Sequence, residues 1–305
     1  MKVLIATEKP FAPVAVQGIK DVIEAGGHEF VLLEKGTKED LKKAVADVEG
    51  LIVRSDKIDK EVFDCAPNLK VVVRAGAGYD NIDLAEATAR KICVMNTPGQ
   101  NSNAVAELVF GMLVMVCRNY YNGTSGTELK EKTIGIHAYG QVGKNVARIA
   151  KGFGMNVMAY DPFVSSEVMA NDGVVSAESI NELYSKCDVV SLHIPANNET
   201  KKSVNKDIVG LLPKNGILVN TARKEVIDEE SLVDALTERA DIKYIADVKP
   251  DNADLMKEKF GDRVFFTPKK MGAQTSEANI KAGIAAAEQV VAYLKDGWNK
   301  FQVNK

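Results

Sequence analysis

The sequence predicts an α/β protein of two doubly wound domains, and three observations carry that expectation. Short apolar runs alternate with helical patterns along nearly all of the 305 residues. The runs fall into two series, separated by a long helical stretch from about Asn103 to Cys117. Many are apolar on both faces, as parallel strands covered by helices on two sides must be.

In the first series the strand candidates are Val3-Leu4-Ile5-Ala6, Phe30-Val31-Leu32-Leu33, Leu51-Ile52-Val53, Val71-Val72-Val73 and Val94-Met95. A helix is expected from Pro13 to Ala25, closed by Gly26-Gly27. The second series runs Thr133 to Ala138, Asn156 to Tyr160, Val189 to Ile194, Ile217 to Thr221, Lys243 to Ala246 and Val264 to Phe266. Six strands with helical crossovers describe a doubly wound sheet. Val142, Val146, Ile149, Ala150 and Phe153 share one face of an intervening helix that Gly154 ends. A last helix is expected from about Ser276 to Lys295, with Ile280, Ile284, Ala287, Val291 and Leu294 on its apolar side. It follows a completed second sheet, so it is expected to return to the first domain. That gives residues 1–97 with 277–305 as one domain and 98–276 as the other.

Composition narrows the function classes. The hydrophobic share of 46% and charged share of 27% are ordinary for a soluble globular protein. A formal charge of -3 supplies no field that would draw in nucleic acid or an anionic membrane. The apolar start turns polar at Thr7-Glu8-Lys9, too soon for a signal peptide. The run from Leu108 to Cys117 is far short of the ~20 residues that span a bilayer. Four scattered cysteines (Cys65, Cys93, Cys117, Cys187) support neither a metal site nor a disulfide framework, and are expected as buried reduced thiols. A cytoplasmic location is the default.

The strand-turn-helix unit at Ala138-Tyr139-Gly140-Gln141-Val142-Gly143 matches G-x-G-x-x-G except at its first position. Such a turn lets backbone N–H groups reach a pyrophosphate with no side chain in the way. Gly140 supplies the approach, and Gly143 lets the helix pack closely on its strand. Ala138 is tolerable if its φ stays negative, because only the left-handed region penalises a Cβ. The next strand ends at Asp161, 18 residues beyond Gly143. A carboxylate there accepts both ribose hydroxyls and repels a 2′-phosphate, which points to NAD over NADP. The competing reading of Asp161 is a turn aspartate before Pro162.

Taken in order, the motifs resemble the D-isomer-specific 2-hydroxyacid dehydrogenases over nearly the whole chain. In the first domain the likeness rests on Val53-Arg54-Ser55, Arg74-Ala75-Gly76-Ala77-Gly78-Tyr79-Asp80-Asn81-Ile82-Asp83 and Asn96-Thr97-Pro98-Gly99-Gln100-Asn101. In the second it rests on Thr133-Ile134-Gly135-Ile136, the glycine turn, Leu192-His193-Ile194-Pro195, Asn220-Thr221-Ala222-Arg223 and Asp247-Val248. The resemblance implies a Rossmann-type NAD-binding domain, a flavodoxin-like substrate domain and a homodimer. The apolar stretch Leu108 to Met115 is a candidate for the dimer contact, with core burial an equal alternative. The resemblance also implies cofactor contacts from Tyr139, Gly140, Gln141, Val142 and Gly143, then from Tyr160, Asp161 and Pro162. Further contacts fall on His193, Pro195 and Thr200, on Thr221, Ala222 and Arg223, and on Asp247, Gly272 and Ala273.

Arg54 and Arg74 each follow a short apolar strand, so their guanidinium forks could face an interdomain cleft and pair with carboxylate or phosphate. Gly76 and Gly78 leave backbone N–H groups open to an anion. Ser55, Ala77 and Asn101 complete the expected substrate loops. A small, doubly anionic 2-hydroxy acid fits this arrangement, and the loop sequence favours the family branch that oxidises 3-phosphoglycerate. The family chemistry is hydride transfer from C2 to nicotinamide, with Arg223 holding the substrate carboxylate and Asp247 bonding the carboxamide.

The pattern departs from the family at the proton-transfer pair. Where the family has histidine before a glycine, Thr267-Pro268-Lys269-Lys270-Met271-Gly272 places Lys270, with one extra residue after Pro268. No glutamate follows Asp247-Val248; Asp251 or Asp254 could substitute, and spacing does not choose. An ordinary lysine, pKa about 10.4, is protonated at neutral pH. Burial and a neighbouring cation such as Arg223 would depress that value, and a nearby carboxylate would oppose it. The competing reading is a solvated Lys269-Lys270 pair in an inactive relative. His28 is expected at the surface, His137 packed, and His193 in contact with cofactor through its backbone.

Two rivals remain open from sequence: another small 2-hydroxy acid such as glycerate, and an NAD-binding sensor or corepressor that needs the turn but neither Arg74 nor Lys270. The chain stops soon after its last helix, so a further regulatory domain is not expected.

Overall fold

The computed structural model describes residues 1–304 and divides into two compact units, Met1–Asn101 with Gln274–Lys305, and Ser102–Ala273. The first unit holds a five-stranded parallel sheet of β1 (Lys2–Thr7), β2 (Glu29–Glu34), β3 (Gly50–Val53), β4 (Val71–Arg74) and β5 (Cys93–Asn96). Its order is β2-β1-β3-β4-β5, the flavodoxin-type winding. Val71, Val72 and Val73 are all fully buried, as a strand sandwiched between two helical layers requires.

The second unit holds β6 (Thr133–His137), β7 (Asn156–Tyr160), β8 (Val175–Ser176), β9 (Val189–Leu192), β10 (Ile217–Asn220), β11 (Lys243–Ala246) and β12 (Val264–Phe266). All pair in parallel, in the order β12-β11-β10-β9-β6-β7-β8. The winding reverses between β6 and β9, the switch point at which such sheets bind ligands beyond their carboxyl ends. Sequence reading expected six strands here; the seventh, β8, has two residues and sits at the sheet edge, too short to leave an apolar run.

The helix Pro13–Ala25 forms where periodicity places it, with Gly26 at its C-cap and Gly27 at φ 75. The last helix, Ser276–Asp296, is capped at its start by Thr275 and ended by left-handed Gly297. It packs within the first unit, where Ala282, Ala286, Ala287 and Val290 are buried among Val3, Ile5, Ile19 and Val73. The deeply buried stripe is alanine-rich; of the expected side Ile280, Ile284, Ala287, Val291 and Leu294, Ala287 is fully buried, and Ile280 and Leu294 pack partly buried against the same core. The helix is gripped on two faces. Ile284 and Val291 lie against Gly18 and Gly26, where a Cβ would stand 3.0 Å and 2.6 Å from them.

The helix Ser102–Cys117 buries Val109, Phe110, Met112 and Leu113, while Leu108, Val114 and Met115 are partly buried against the same core. Among the described residues no helix is long and apolar enough to cross a membrane. Cys93, Cys117 and Cys187 are buried, Cys65 is half-buried, and burial pushes the Cys93 thiol up to about 11.

Candidate active site

Strand register sets the candidate residues of the second unit in one row. His137 pairs with Tyr160 and Leu192, Asn220 with Leu192 and Ala246, and Ala246 with Phe266. One residue further along each strand come Ala138, Asp161, His193, Thr221, Asp247 and Thr267, all at the carboxyl edge of the sheet.

The glycine turn starts the row. Ala138 has φ 82, so the expectation of a negative φ is overturned. The Ala138 N–H still donates to Tyr160 O (2.9 Å) as the chain turns out of β6 in this left-handed conformation. Gly140 is the N-cap of the helix Gln141–Gly152, whose first turn carries no acidic residue. A Cβ at Gly140 would meet nothing within 4 Å, so the space over the helix N-terminus is open. At Gly143 a Cβ would collide with Ala138 O, which is why this helix can sit so close to its strand. Uncapped first-turn N–H groups beneath an open glycine are the features a pyrophosphate requires. The Val142 side chain packs into the core, and Gln141 is exposed. The Tyr139 side chain turns inward, 1% exposed, with its hydroxyl donating to Asp172 Oδ2 (3.0 Å).

We predict that Ala138→Gly stabilises the protein by roughly 0.5–1 kcal/mol, the left-handed penalty less the entropy glycine loses on folding. Urea denaturation midpoints check this; an unchanged or lower midpoint would show that the turn carries no strain.

Asp161 does two things at once. Its Oδ2 accepts from Tyr139 N (2.8 Å) and its Oδ1 from Phe163 N (2.9 Å). The turn aspartate and the clasp of the glycine loop are thus one residue, with each oxygen keeping a second lone pair for a hydroxyl donor. Tyr160 is half-buried and edge-on to His137, and Pro162 is exposed.

His137 is buried at 5% exposure, its Nδ1 3.4 Å from the Tyr184 hydroxyl. Burial pulls its pKa from 6.5 down to about 4, with Asp161 opposing. The unfolded chain therefore takes up a proton near pH 6.5 that the folded chain refuses until about pH 4. Stability from this residue is whole above pH 6.5 and falls as pH drops toward 4, by about 3 kcal/mol. His137→Gln should flatten the loss of urea stability between pH 7 and 4.5; parallel losses in both proteins would contradict this. His193 is also held neutral, pushed by burial down to about 3, with its ring between Ser191 Oγ (3.0 Å) and Thr221 Oγ1 (3.5 Å). Its backbone N–H donates to His137 O (2.9 Å), tying β9 to β6. Thr200 closes the following loop: its Oγ1 meets Pro195 O (2.5 Å) and accepts from Asn197 N (2.9 Å).

The loop after β10 is stapled by Asn220, a fully buried residue that the sequence placed in a motif without giving it a role. Its Oδ1 accepts from Ala222 N and its Nδ2 donates to Arg223 O, both at 2.9 Å. The available signal was an amide ending an otherwise apolar strand, Ile217-Leu218-Val219-Asn220. This staple presents the Ala222 carbonyl to two cations. Arg223 Nη1 donates to it at 3.0 Å and Lys270 Nζ at 3.3 Å. The two side chains singled out for catalysis thus converge on one oxygen, although 47 residues separate them.

Lys270 is exposed in the structure. Its loop, not its side chain, is the anchored part. Fully buried Asp247 accepts from Thr267 Oγ1 (2.9 Å) and Met271 N (2.6 Å) on Oδ1, and from Gly272 N (2.8 Å) on Oδ2. Gly272 is buried and Ala273 half-buried at the end of the loop. The acidic candidates are engaged elsewhere: Asp251 with Lys224 (2.6 Å) and Asp254 with Lys249 (3.3 Å).

In the first unit, register places Arg74 opposite Val53 and Asn96, at the carboxyl edge of its own sheet. Arg54 is a brace. Its Nη1 donates to Lys9 O (3.1 Å) and Pro10 O (3.0 Å), its Nη2 to Asn279 Oδ1 (2.6 Å), and its carbon lies 5.0 Å from the Phe11 ring centre. Burial lowers its pKa. Those carbonyls crowd the end of the loop after β1, and a guanidinium is the side chain that satisfies them together. Arg74 Nε donates to Arg54 O (3.0 Å), and its guanidinium folds over Gly76, where a Cβ would overlap it. The Gly76 N–H is not open to an anion as expected: it donates to Arg74 O (2.9 Å), and at φ 151 the residue bends the loop beneath the guanidinium. Ser55 and Ala77 are exposed, Gly78 and Asn101 half-buried. Ala77 O accepts from Asn96 Nδ2 (2.6 Å).

A doubly wound sheet with a dinucleotide turn at its switch point defines a nucleotide-cofactor protein, and comparison with known proteins makes this specific. Residues 105–268 match the NAD binding domain of the D-isomer specific 2-hydroxyacid dehydrogenases. D-3-phosphoglycerate dehydrogenase of Methanocaldococcus jannaschii is 37% identical over 93% of this chain and 56% of its own length. Hydroxypyruvate reductase of Thermotoga maritima is 32% identical, covering 84% of this chain and 88% of its own. The crystal structure of NAD+-bound 3-phosphoglycerate dehydrogenase from Entamoeba histolytica superposes with a TM-score of 0.88 at 47% identity, over 100% of this chain and 99% of that one. The chain belongs to the D-isomer specific 2-hydroxyacid dehydrogenase family. It spans about half the length of the D-3-phosphoglycerate dehydrogenases of Methanocaldococcus jannaschii and Sus scrofa.

Proposed function

We propose that this chain oxidises 3-phospho-D-glycerate to 3-phosphohydroxypyruvate with NAD, the first step of phosphorylated serine biosynthesis. The observation that carries the reading is the convergence of Arg223 and Lys270 on the Ala222 carbonyl at the carboxyl edge of the NAD-binding sheet. Bound NAD supplies the hydride acceptor. The chain's own residues do the rest. The open turn at Gly140 seats the pyrophosphate on the helix Gln141–Gly152, and the remaining lone pairs of Asp161 take the ribose hydroxyls. Arg223 swings its fork to the substrate carboxylate and C2 oxygen, which orients the C2–H bond. Lys270, as the neutral amine, takes the hydroxyl proton while the C2 hydrogen leaves as hydride and the C2–O bond becomes a carbonyl. In the reverse direction the ammonium returns the proton. A cytoplasmic homodimer belongs to the same reading.

A second reading is reduction of hydroxypyruvate, favoured by the Thermotoga reductase, whose length this chain nearly matches. Against it stands the Entamoeba enzyme, of matching length and higher identity. The discriminating experiment follows NADH absorbance with 3-phosphoglycerate and with glycerate at equal concentration. We expect turnover of 3-phosphoglycerate to exceed that of glycerate by at least about 10²-fold in kcat/KM, since a charged group held by arginine is worth about 3 kcal/mol. Equal turnover, or preference for glycerate, overturns the assignment; NAD binding without turnover of either makes the chain a sensor.

A further inference from the structure

The Asp247 carboxylate touches the loop of the proposed base at both ends. Thr267 Oγ1 approaches it where the loop leaves β12, and Met271 N and Gly272 N approach it directly after Lys270. The Thr267 hydroxyl lies equally close to the Asp247 carbonyl, at 3.0 Å. Asp247 is itself fixed, because its N–H donates to Asn220 O (2.9 Å). Asn220 in turn staples Ala222 and Arg223. A buried carboxylate is tolerated only where donors surround it, and three of its four acceptor positions are occupied by this one loop. Gly272 completes the fit: a Cβ there would stand 3.0 Å from Asp247 Oδ2 and 3.1 Å from Val105 Cγ2, so a larger residue would push the loop off the carboxylate.

Resting on the function proposed above, we infer that Asp247 is a positioning residue for the base. By holding the backbone on either side of Lys270, it sets the distance from that amine to Arg223 and the Ala222 carbonyl. One acceptor position of Oδ2 is left over, which allows a cofactor contact as well, but the loop is the larger commitment.

The test compares wild type with Asp247→Asn and the milder Thr267→Val. The asparagine keeps the shape but turns an NH2 toward backbone N–H groups; the valine removes a single hook. Three quantities are read: hydrogen exchange of the loop amides without cofactor, NAD affinity, and kcat against pH at saturating NAD. We expect Met271 and Gly272 to exchange at least about tenfold faster in both variants while the glycine turn is unchanged. We also expect NAD affinity within about threefold, and kcat lower by roughly 10²-fold in Asp247→Asn, the size of effect a displacement of about 1 Å produces. The acid limb of kcat should shift in both variants, because the amine moves relative to Arg223. Unaltered exchange overturns the clamp. A large loss of NAD affinity with kcat and its acid limb unmoved overturns the positioning role and makes Asp247 a cofactor ligand alone. Should wild type turn over no 2-hydroxy acid, the proposed function falls, while the exchange rates still decide the clamp. If Asp247→Asn does not fold, Thr267→Val decides it.

Discussion

Lys270→Ala is expected to lower kcat for 3-phosphoglycerate oxidation by about 10³-fold, the middle of the range for loss of a general base. NAD affinity should stay within about threefold, because the alanine leaves the loop backbone on Asp247 intact. The effect belongs in kcat more than in KM, since proton removal is needed only as the transition state forms. Wild-type kcat should rise with pH as the amine loses its proton, and the variant should lose that dependence. Steady-state kinetics from pH 6 to 10 check both parts. A variant within a fewfold of wild type would place the base elsewhere, and an acidic optimum for oxidation would contradict an amine base. The same measurement on Lys269→Ala separates the neighbours: Lys269 is exposed and should cost less than about threefold.

The second large effect is at Arg223. We expect Arg223→Gln to reduce kcat/KM by about 10²–10³-fold, the loss that follows removal of a donor aimed at developing oxyanion charge. Arg223→Lys should recover little, because a lysine is a point charge and cannot make two parallel bonds to a carboxylate. Both KM and kcat should suffer under the proposed role, in which the guanidinium holds the carboxylate in the ground state and the C2 oxygen in the transition state. A rise in KM alone would reduce its role to binding. The staple at Asn220 keeps the backbone in place in either variant, so unfolding is not the expected cause of the loss.

The row at the carboxyl edge was legible in the sequence because apolar strands end visibly. Asp161 and Asp247 each stand one residue past such a run, His193 and Thr221 fall within the last residues of theirs, and parallel register brings all four level. Lys270 was found by counting from a glycine, and the structure brings it to Arg223 although no local pattern links them. What escaped the sequence depends on three-dimensional partners. The positive φ of Ala138 follows from the path of the chain between β6 and its helix, to which the residue type gives no clue. The bonds of Arg54 to Lys9, Pro10 and Asn279 reach across 45, 44 and 225 residues. Asp247 was read as a cofactor ligand, while Thr267 and Met271 look like any hydroxyl and any backbone amide until the fold brings them to it. Lys270 itself is exposed; the anchored part of its loop is the backbone, held on Asp247.

Rescue of Lys270→Ala by small amines isolates the proton transfer assigned to Lys270. The variant, saturated with NAD and 3-phosphoglycerate, is assayed with ammonia, methylamine and ethylamine at a series of concentrations and pH values. If a lysine amine takes the hydroxyl proton, the exposed gap left at residue 270 admits the free base. NADH formation then rises with its concentration and with the pKa of the amine. A variant whose lost turnover no amine restores, or that all amines stimulate equally regardless of pKa, would contradict the assignment of the proton to Lys270.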